Sequence, residues 1–461
     1  MGAGVSTKAL DEFEAALESS DSTSKLVVTS CDLLVLPPEI LERAAHLREL
    51  RLEHAKLKQL PASFGCLVLL ERLSLAGNEL EALPLSFHQL QRLEELDLSC
   101  NALRSLLGNF CDLGALRRLF VYDNALQKLP REFGALTSLE MVDMHNNALR
   151  KLPRSFPCLA QLSRLDLSRN KLRKLPEAFG NLSALRNCNL GRNALRELPA
   201  CFGMLGHLAV LGLQYNALYK LPASFADLTN LTNLSLTGNR IECLPGPQLG
   251  ALKALITLTY AENRLQQWQP GEKSSVVEED PPEKDDAGSN EAEATDELET
   301  FATCSNPLAA LDSVQYLDLS DNWLVSLPAR GWTSLGALLH LKLARNRLQS
   351  LPTEVGRLAK LQRLDIAGNK FTALPNALFS SKTLAFLDVQ QNALHELPHN
   401  VGECESLVRI VLTRNRDLRG LPASVCRLSR LQELRVDKSC FLALGDELTV
   451  FCRAIAFFSA E

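Results

Sequence analysis

The chain has 461 residues, a formal net charge of −5, and 46% hydrophobic side chains. So mild a charge gives no bulk affinity for nucleic acid, and the sequence shows neither an apolar run of transmembrane length nor a secretory signal segment. The 13 cysteines are odd in number and scattered, which predicts reduced thiols in an intracellular, cytoplasmic protein.

The first 25 residues carry two expectations. Met1-Gly2-Ala3-Gly4-Val5-Ser6 fits the M-G-x-x-x-[ST] pattern for N-myristoylation, so Gly2 is the predicted lipidation site. One myristoyl chain binds a bilayer only marginally. No cysteine lies nearby for palmitate, and Asp11, Glu12 and Glu14 oppose a polybasic second signal. The expected membrane contact through myristate is therefore peripheral and reversible. Residues 9–18 then place Leu10, Phe13 and Leu17 on one helical face, as a helix capping the open end of a repeat stack would.

Residues 26–270 are repetitive. Asn78, Asn101, Asn124, Asn147, Asn170, Asn193, Asn216 and Asn239 follow one another at intervals of 23. Each sits in the frame L-x-x-L-x-L-x-x-N-x-L-x-x-L-P, seen whole in Leu162 to Pro176. The x-L-x-L core alternates like a short strand, with its leucines inward. The asparagine marks the turn, where its amide can satisfy backbone groups. Leu-Pro pairs such as Leu152-Pro153 fix φ on the return path. A second column, Phe64, Phe87, Phe110, Phe133, Phe156, Phe179, Phe202 and Phe225, predicts a stacked aromatic spine. Residues 47–69 keep the frame with Ala55 in the asparagine place, and residues 26–46 with Cys31 there.

The ladder breaks between Asn263 and Asn322. The frame assigns the excess to residues 271–305, with Trp268 in a Leu-Pro position. Residues 272–300 hold 12 acidic and 2 basic side chains, a net −10, which leaves +5 for the remainder. That composition predicts a disordered insertion. Repeats resume over residues 306–440, with Leu308, Val355, Leu378, Val401 and Val425 continuing the spine. About 17 repeats can be counted in all. Residues 441–461 are strongly apolar and read as a C-terminal cap.

This frame resembles the leucine-rich repeat. The Leu-Pro pair followed by Phe-Gly-x-Leu, as in Phe133-Gly134-Ala135-Leu136 and Phe179-Gly180-Asn181-Leu182, looks like the Ras-group intracellular members of that family. The resemblance implies an α/β fold, a leucine-rich repeat solenoid of horseshoe form with a parallel concave β-sheet. It also implies protein partners, in that group small GTPases and a type-1 protein phosphatase. The acidic insertion is not part of the group's pattern.

Enzymatic chemistry finds little support. His395-Glu396-Leu397-Pro398-His399 matches H-E-x-x-H, but Leu397-Pro398 is the repeat's own Leu-Pro pair. Proline breaks the helix that zinc binding through this motif needs. No phosphate-binding loop, dinucleotide fingerprint or nucleophile elbow occurs. The chain is accordingly predicted to be a non-enzymatic monomer with no metal or cofactor. Arg453-Ala454-Ile455-Ala456-Phe457 fits the loose basic-x-Val/Ile-x-Phe pattern for phosphatase docking, but falls in the expected cap, where Ile455 and Phe457 would be buried.

The outward strand positions also fall into columns. Asp97, Asp143, Asp166, Asp318, Asp365 and Asp388 stand beside Arg72, Arg118, Arg164, Arg363 and Arg409, an arrangement expected to pair with itself. Phe120, Tyr122, Met141 and His145 interrupt it. Aromatic side chains inside a charged rim are the usual composition of an interface hot spot, so the predicted partner site is Arg118, Phe120, Tyr122, Met141, Asp143 and His145. The predicted function is an intracellular signalling scaffold. The alternatives are a cytoskeletal or organelle structural protein and a regulator that docks a type-1 phosphatase.

Overall fold

The computed structural model describes residues 7–20, 24–29, 32–266, 308 and 311–460. Gly2 and the acidic stretch 271–305 lie outside the described residues, as do Cys31 and Trp268. By contacts the chain divides into two compact units, residues 1–240 with 251–262, and residues 241–250 with 263–461.

In the first unit the strands are β1 (Lys25–Thr29), β2 (Glu49–Glu53), β3 (Arg72–Ser74), β4 (Glu95–Asp97), β5 (Arg118–Phe120) and β6 (Met141–Asp143). They continue as β7 (Arg164–Asp166), β8 (Asn187–Asn189), β9 (Val210–Gly212), β10 (Asn233–Ser235) and β11 (Thr257–Thr259). Each pairs in parallel with the next, one strand per repeat. In the second unit β12 (Tyr316–Asp318), β13 (His340–Lys342), β14 (Arg363–Asp365), β15 (Phe386–Asp388), β16 (Arg409–Val411), β17 (Glu433–Val436) and β18 (Phe457–Ala460) do the same. The chain is a repeat solenoid of the kind the period of 23 predicts. Leu119, Val142 and Leu165 from successive strands sit in the core, and the residues on either side of each face outward.

The asparagine ties the repeats together. Asn170 is buried. Its Nδ2 donates to the Met144 carbonyl of the previous repeat at 2.9 Å and to its own Leu167 carbonyl at 3.0 Å, while Oδ1 accepts the Leu149 N–H at 3.0 Å. Asn147, Asn239, Asn369 and Asn392 repeat the pattern. The residue just before it is left-handed in repeat after repeat, whatever its type: Cys100, Asp123, Arg169, Arg192, Tyr215 and Gln391 have φ between 52° and 56°. Non-glycine residues adopt that conformation at a cost of about 1–2 kcal/mol. It persists because it aims their N–H groups at the next repeat, as in Arg169 to the Gly191 carbonyl and Arg192 to that of Gln214.

The phenylalanine spine is present. Phe64 and Phe87, Phe133 and Phe156, and Phe179 and Phe202 stack with centroids 5.8–6.1 Å apart and rings within 5° of parallel. The glycine after the phenylalanine has a steric reason. A Cβ on Gly134 or Gly203 would collide with the carbonyl oxygen of Ser155 or Ser224 in the next repeat. In the second unit the spine becomes Trp332, Val355, Leu378, Val401 and Val425, all buried, with Trp332 Nε1 donating to the Pro328 carbonyl at 2.8 Å.

Both ends are covered. The helix Thr7–Ser20 buries Phe13 and Leu17. At the other end the helices Lys438–Leu442 and Asp446–Ala454 lead into β18, which pairs with β17. The expectation for this end needs correcting in one respect. Ile455 is buried, but Phe457 is 68% exposed, because alternation along an added edge strand turns it outward while Phe458 meets Phe441 at 5.0 Å.

Charge enters the interior at Glu49, which is 5% exposed and within 2.9–3.0 Å of Lys25, Arg51 and Arg72. Burial alone would raise its pKa, but hydrogen bonds from Lys25 and Arg72, with the charges of Lys25 and Arg51, hold the carboxyl below its usual value of 4.5. A depressed carboxylate stabilises the fold above the unfolded-state pKa and loses that contribution as pH falls through the folded one. Wild type should therefore exceed Glu49→Gln in stability by about 1–2 kcal/mol at pH 7. Urea unfolding should show the difference shrinking below about pH 4.5; a gap independent of pH would contradict this account. Asn170→Ala removes an amide shared by two repeats and leaves buried carbonyls and an N–H unpaired. It should cost about 2–4 kcal/mol in the same assay.

Candidate functional site

Strands β5 to β7 carry the predicted contact residues. Arg118 faces Met141 across the sheet and Phe120 faces Asp143, with Arg164 and Asp166 next in register. Phe120, Tyr122, Met141, Asp143 and His145 are all half-buried, and Arg118 is exposed. Tyr122 and His145 stack, with centroids 4.6 Å apart and rings 10° from parallel. Asp143 Oδ1 lies 2.7 Å from His145 Nδ1 and also accepts the His145 N–H at 3.1 Å. The six residues thus form one patch, but their roles differ from the sequence expectation. Asp143 orients the histidine instead of standing as a loose rim charge.

The two charged columns do not pair with each other as expected. Arg118 pairs with Glu95 of the preceding strand at 2.7 Å, which raises the guanidinium pKa, and Arg72 pairs with Glu49. The aspartates turn to their own chain. Asp97, Asp166, Asp318, Asp365 and Asp388 each accept the N–H two residues on, at 2.8–3.1 Å. A short acceptor at the strand end is ideally placed to close such a turn, so most of the column is structural.

Beyond β7 the strand face changes character. Asn187, Val210, Asn233 and Thr257 form one outward column, and Asn189, Gly212, Ser235 and Thr259 the next. None is charged. Their small side chains leave an open trough of about 520 Å³ that runs from Met141 to Thr259. Gln214 belongs to its lining, with Nε2 3.5 Å from Asn189 Oδ1. The sequence columns do not reveal this trough. The signal was there in the absence of any charge at eight successive outward strand positions.

Asp143, His145 and Asp166 present ligand atoms within 4.8 Å of one another. Their capacity is already engaged. Asp143 holds His145, and Asp166 accepts from Ser168 and from Asn189 Nδ2 at 2.9 Å. The second unit has its own aromatic cluster. Tyr316 meets His340 edge-on at 5.9 Å, Lys342 Nζ lies 5.3 Å from the Tyr316 ring, and Arg363 stacks over Phe386 at 4.5 Å. Burial, then Arg363 and Lys342, lowers the His340 pKa. The sequence columns had passed over His340.

The H-E-x-x-H match does not form a helix. Pro398 precedes the short turn His399–Glu403, and His395 Nδ1 contacts the Ala393 carbonyl at 2.9 Å. None of the described cysteines is joined in a disulfide. Among the described residues no helix is long and apolar enough to cross a membrane.

Comparison with known proteins agrees with this architecture. A leucine-rich repeat region model matches residues 300–436, and a leucine rich repeat model matches residues 21–80 and 115–172. A leucine-rich repeat protein of Leptospira interrogans is 30% identical, with 92% of this chain and 98% of that one covered and a TM-score of 0.76. The functional domain of InlJ from Listeria monocytogenes shares the fold at 18% identity, with 86% and 75% covered and a TM-score of 0.61. An internalin from the same species does so at 19%, with 76% and 88% covered and a TM-score of 0.58. No curated protein matched the chain. Leucine-rich repeats are in general protein-interaction scaffolds, and this chain, with its asparagine ladder and one parallel strand per repeat, belongs to the leucine-rich repeat family.

Proposed function

We propose that the chain is a non-enzymatic signalling scaffold that holds a protein partner on the strand face of β5 to β11. One observation carries this reading. The half-buried Tyr122–His145 stack, with Phe120 and Met141, stands at the head of a trough whose strand positions on β8 to β11 carry no charge and whose lining includes Gln214. Aromatic rings bury large apolar area at low entropy cost, and the trough adds room for a partner segment. The Ras-group resemblance makes small GTPases and the type-1 phosphatase catalytic subunit the first partners to test. The burial of Ile455 argues against phosphatase docking through the C-terminal pattern, so a phosphatase would also use the strand face. Myristate on Gly2 is proposed to give the scaffold peripheral membrane contact.

Phe120→Ala with Tyr122→Ala should weaken partner binding by about 2 kcal/mol or more, roughly thirtyfold. Calorimetry against GDP- and GTP-loaded small GTPases and the phosphatase subunit would measure this. The unfolding midpoint should hardly move, since both rings point away from the leucine core. Wild-type affinity in the double variant would shift attention to Tyr316, Lys342 and Phe386. Separately, Gly2→Ala should abolish myristate labelling in a eukaryotic host, and mass spectrometry showing an unmodified wild-type N-terminus would refute acylation.

A further inference from the structure

The segments that follow each asparagine form a second ladder along one edge of the first unit. The N–H groups of Ala125, Ala148, Lys171, Ala194 and Ala217 each donate at 2.8–2.9 Å to the Leu103, Leu126, Leu149, Leu172 and Leu195 carbonyls of the preceding repeat. Equivalent side chains therefore stack in register, about 5 Å apart per repeat. Three residues past the asparagine this puts Arg150, Arg173 and Arg196 in one row, and four past it Lys128, Lys151 and Lys174 in the next. All six are exposed. Among them only Lys174 makes an ion pair within 4 Å, to Glu197 at 3.7 Å. On the strand face, in contrast, Arg72, Arg118 and Arg409 are each tied to a glutamate.

Rows of unpaired like charges repel each other, and an anionic surface laid along them relieves that repulsion. The side chains suggest which surface. They are long and unpinned, and no large hydrophobic residue is exposed between residues 104 and 196. Over that stretch a protein partner would find no apolar anchor. The arginine row ends instead in Tyr219, 50% exposed, with Lys220 Nζ 5.6 Å from its ring. An amphipathic aromatic beside clustered cations is the composition of a bilayer interface.

From this we infer that the basic edge spanning residues 104–220 is a docking surface for a membrane carrying anionic phospholipid. It acts independently of any acyl chain and supplies the polybasic signal that the acidic residues near the N-terminus do not.

The test uses the full chain made without acylation and cosedimented with vesicles. Binding is expected to phosphatidylcholine vesicles containing phosphatidylserine, and not to phosphatidylcholine alone. It should fade as added salt shortens the screening length. Lys128→Gln, Lys151→Gln and Arg173→Gln together should reduce it about a hundredfold, at roughly fivefold per charge. Arg357→Gln, Lys360→Gln and Arg430→Gln, the same charge change in the second unit, should leave it nearly intact. Unfolding midpoints check that both variants fold. Equal binding to neutral vesicles, or equal loss in the two triple variants, would overturn the proposal. So would capture of a polyglutamate peptide with no binding to anionic vesicles, which would assign the edge to an acidic protein.

Discussion

The solenoid hangs on the hydrogen bonds of an asparagine that recurs in nearly every repeat. A single strand of three residues cannot hold itself. It becomes stable only when its neighbours supply partners for its N–H and C=O groups and cover its leucines. The Asn170 amide does this at the point where the chain must leave the strand, with bonds to carbonyls of two repeats and an N–H of the earlier one. The left-handed residue before it is the conformational cost of the same turn, and it is offset by the cross-repeat bond from its own N–H. Because both bonds are made by backbone or by the recurring amide, the type of the residue before it is unconstrained. Cysteine, aspartate, arginine, tyrosine and glutamine all occupy it in this protein.

That freedom divides each repeat into a part that folds and a part that can recognise. The leucines, the spine rings and the Phe-Gly step are committed to packing. Part of the outward strand face is committed too, since the aspartates close turns and Arg72, Arg118 and Arg409 pair with glutamates on the preceding or following strand. What remains uncommitted is small: the Tyr122–His145 stack, the uncharged trough after it, the Tyr316 cluster in the second unit, and the basic edge.

The strand face and the edge divide the chemistry by charge. The face opposite β8 to β11 offers amides, hydroxyls and space, which suits stereospecific contact. The edge offers exposed cations on flexible stems, which suit a diffuse anionic surface.

Much of this was legible in the residues, for a physical reason. A period of 23 forces the same environment on equivalent positions. Leucine, asparagine and phenylalanine columns therefore declare the core, the turn and the spine without coordinates, and Phe120, Tyr122, Met141 and His145 stand out as breaks in a column. Side-chain partners were not legible, because a column says which residues are neighbours and not which way they turn. Asp143 was free to reach Arg118 or His145, and only local backbone geometry aims it at the histidine. Phe457 reads as core by hydropathy, yet the added strand β18 turns it outward. The trough exists because Gly212 and its small neighbours come together across four strands that are distant in the chain, and it took the stacking of the repeats to make their shared lack of charge and bulk into a surface.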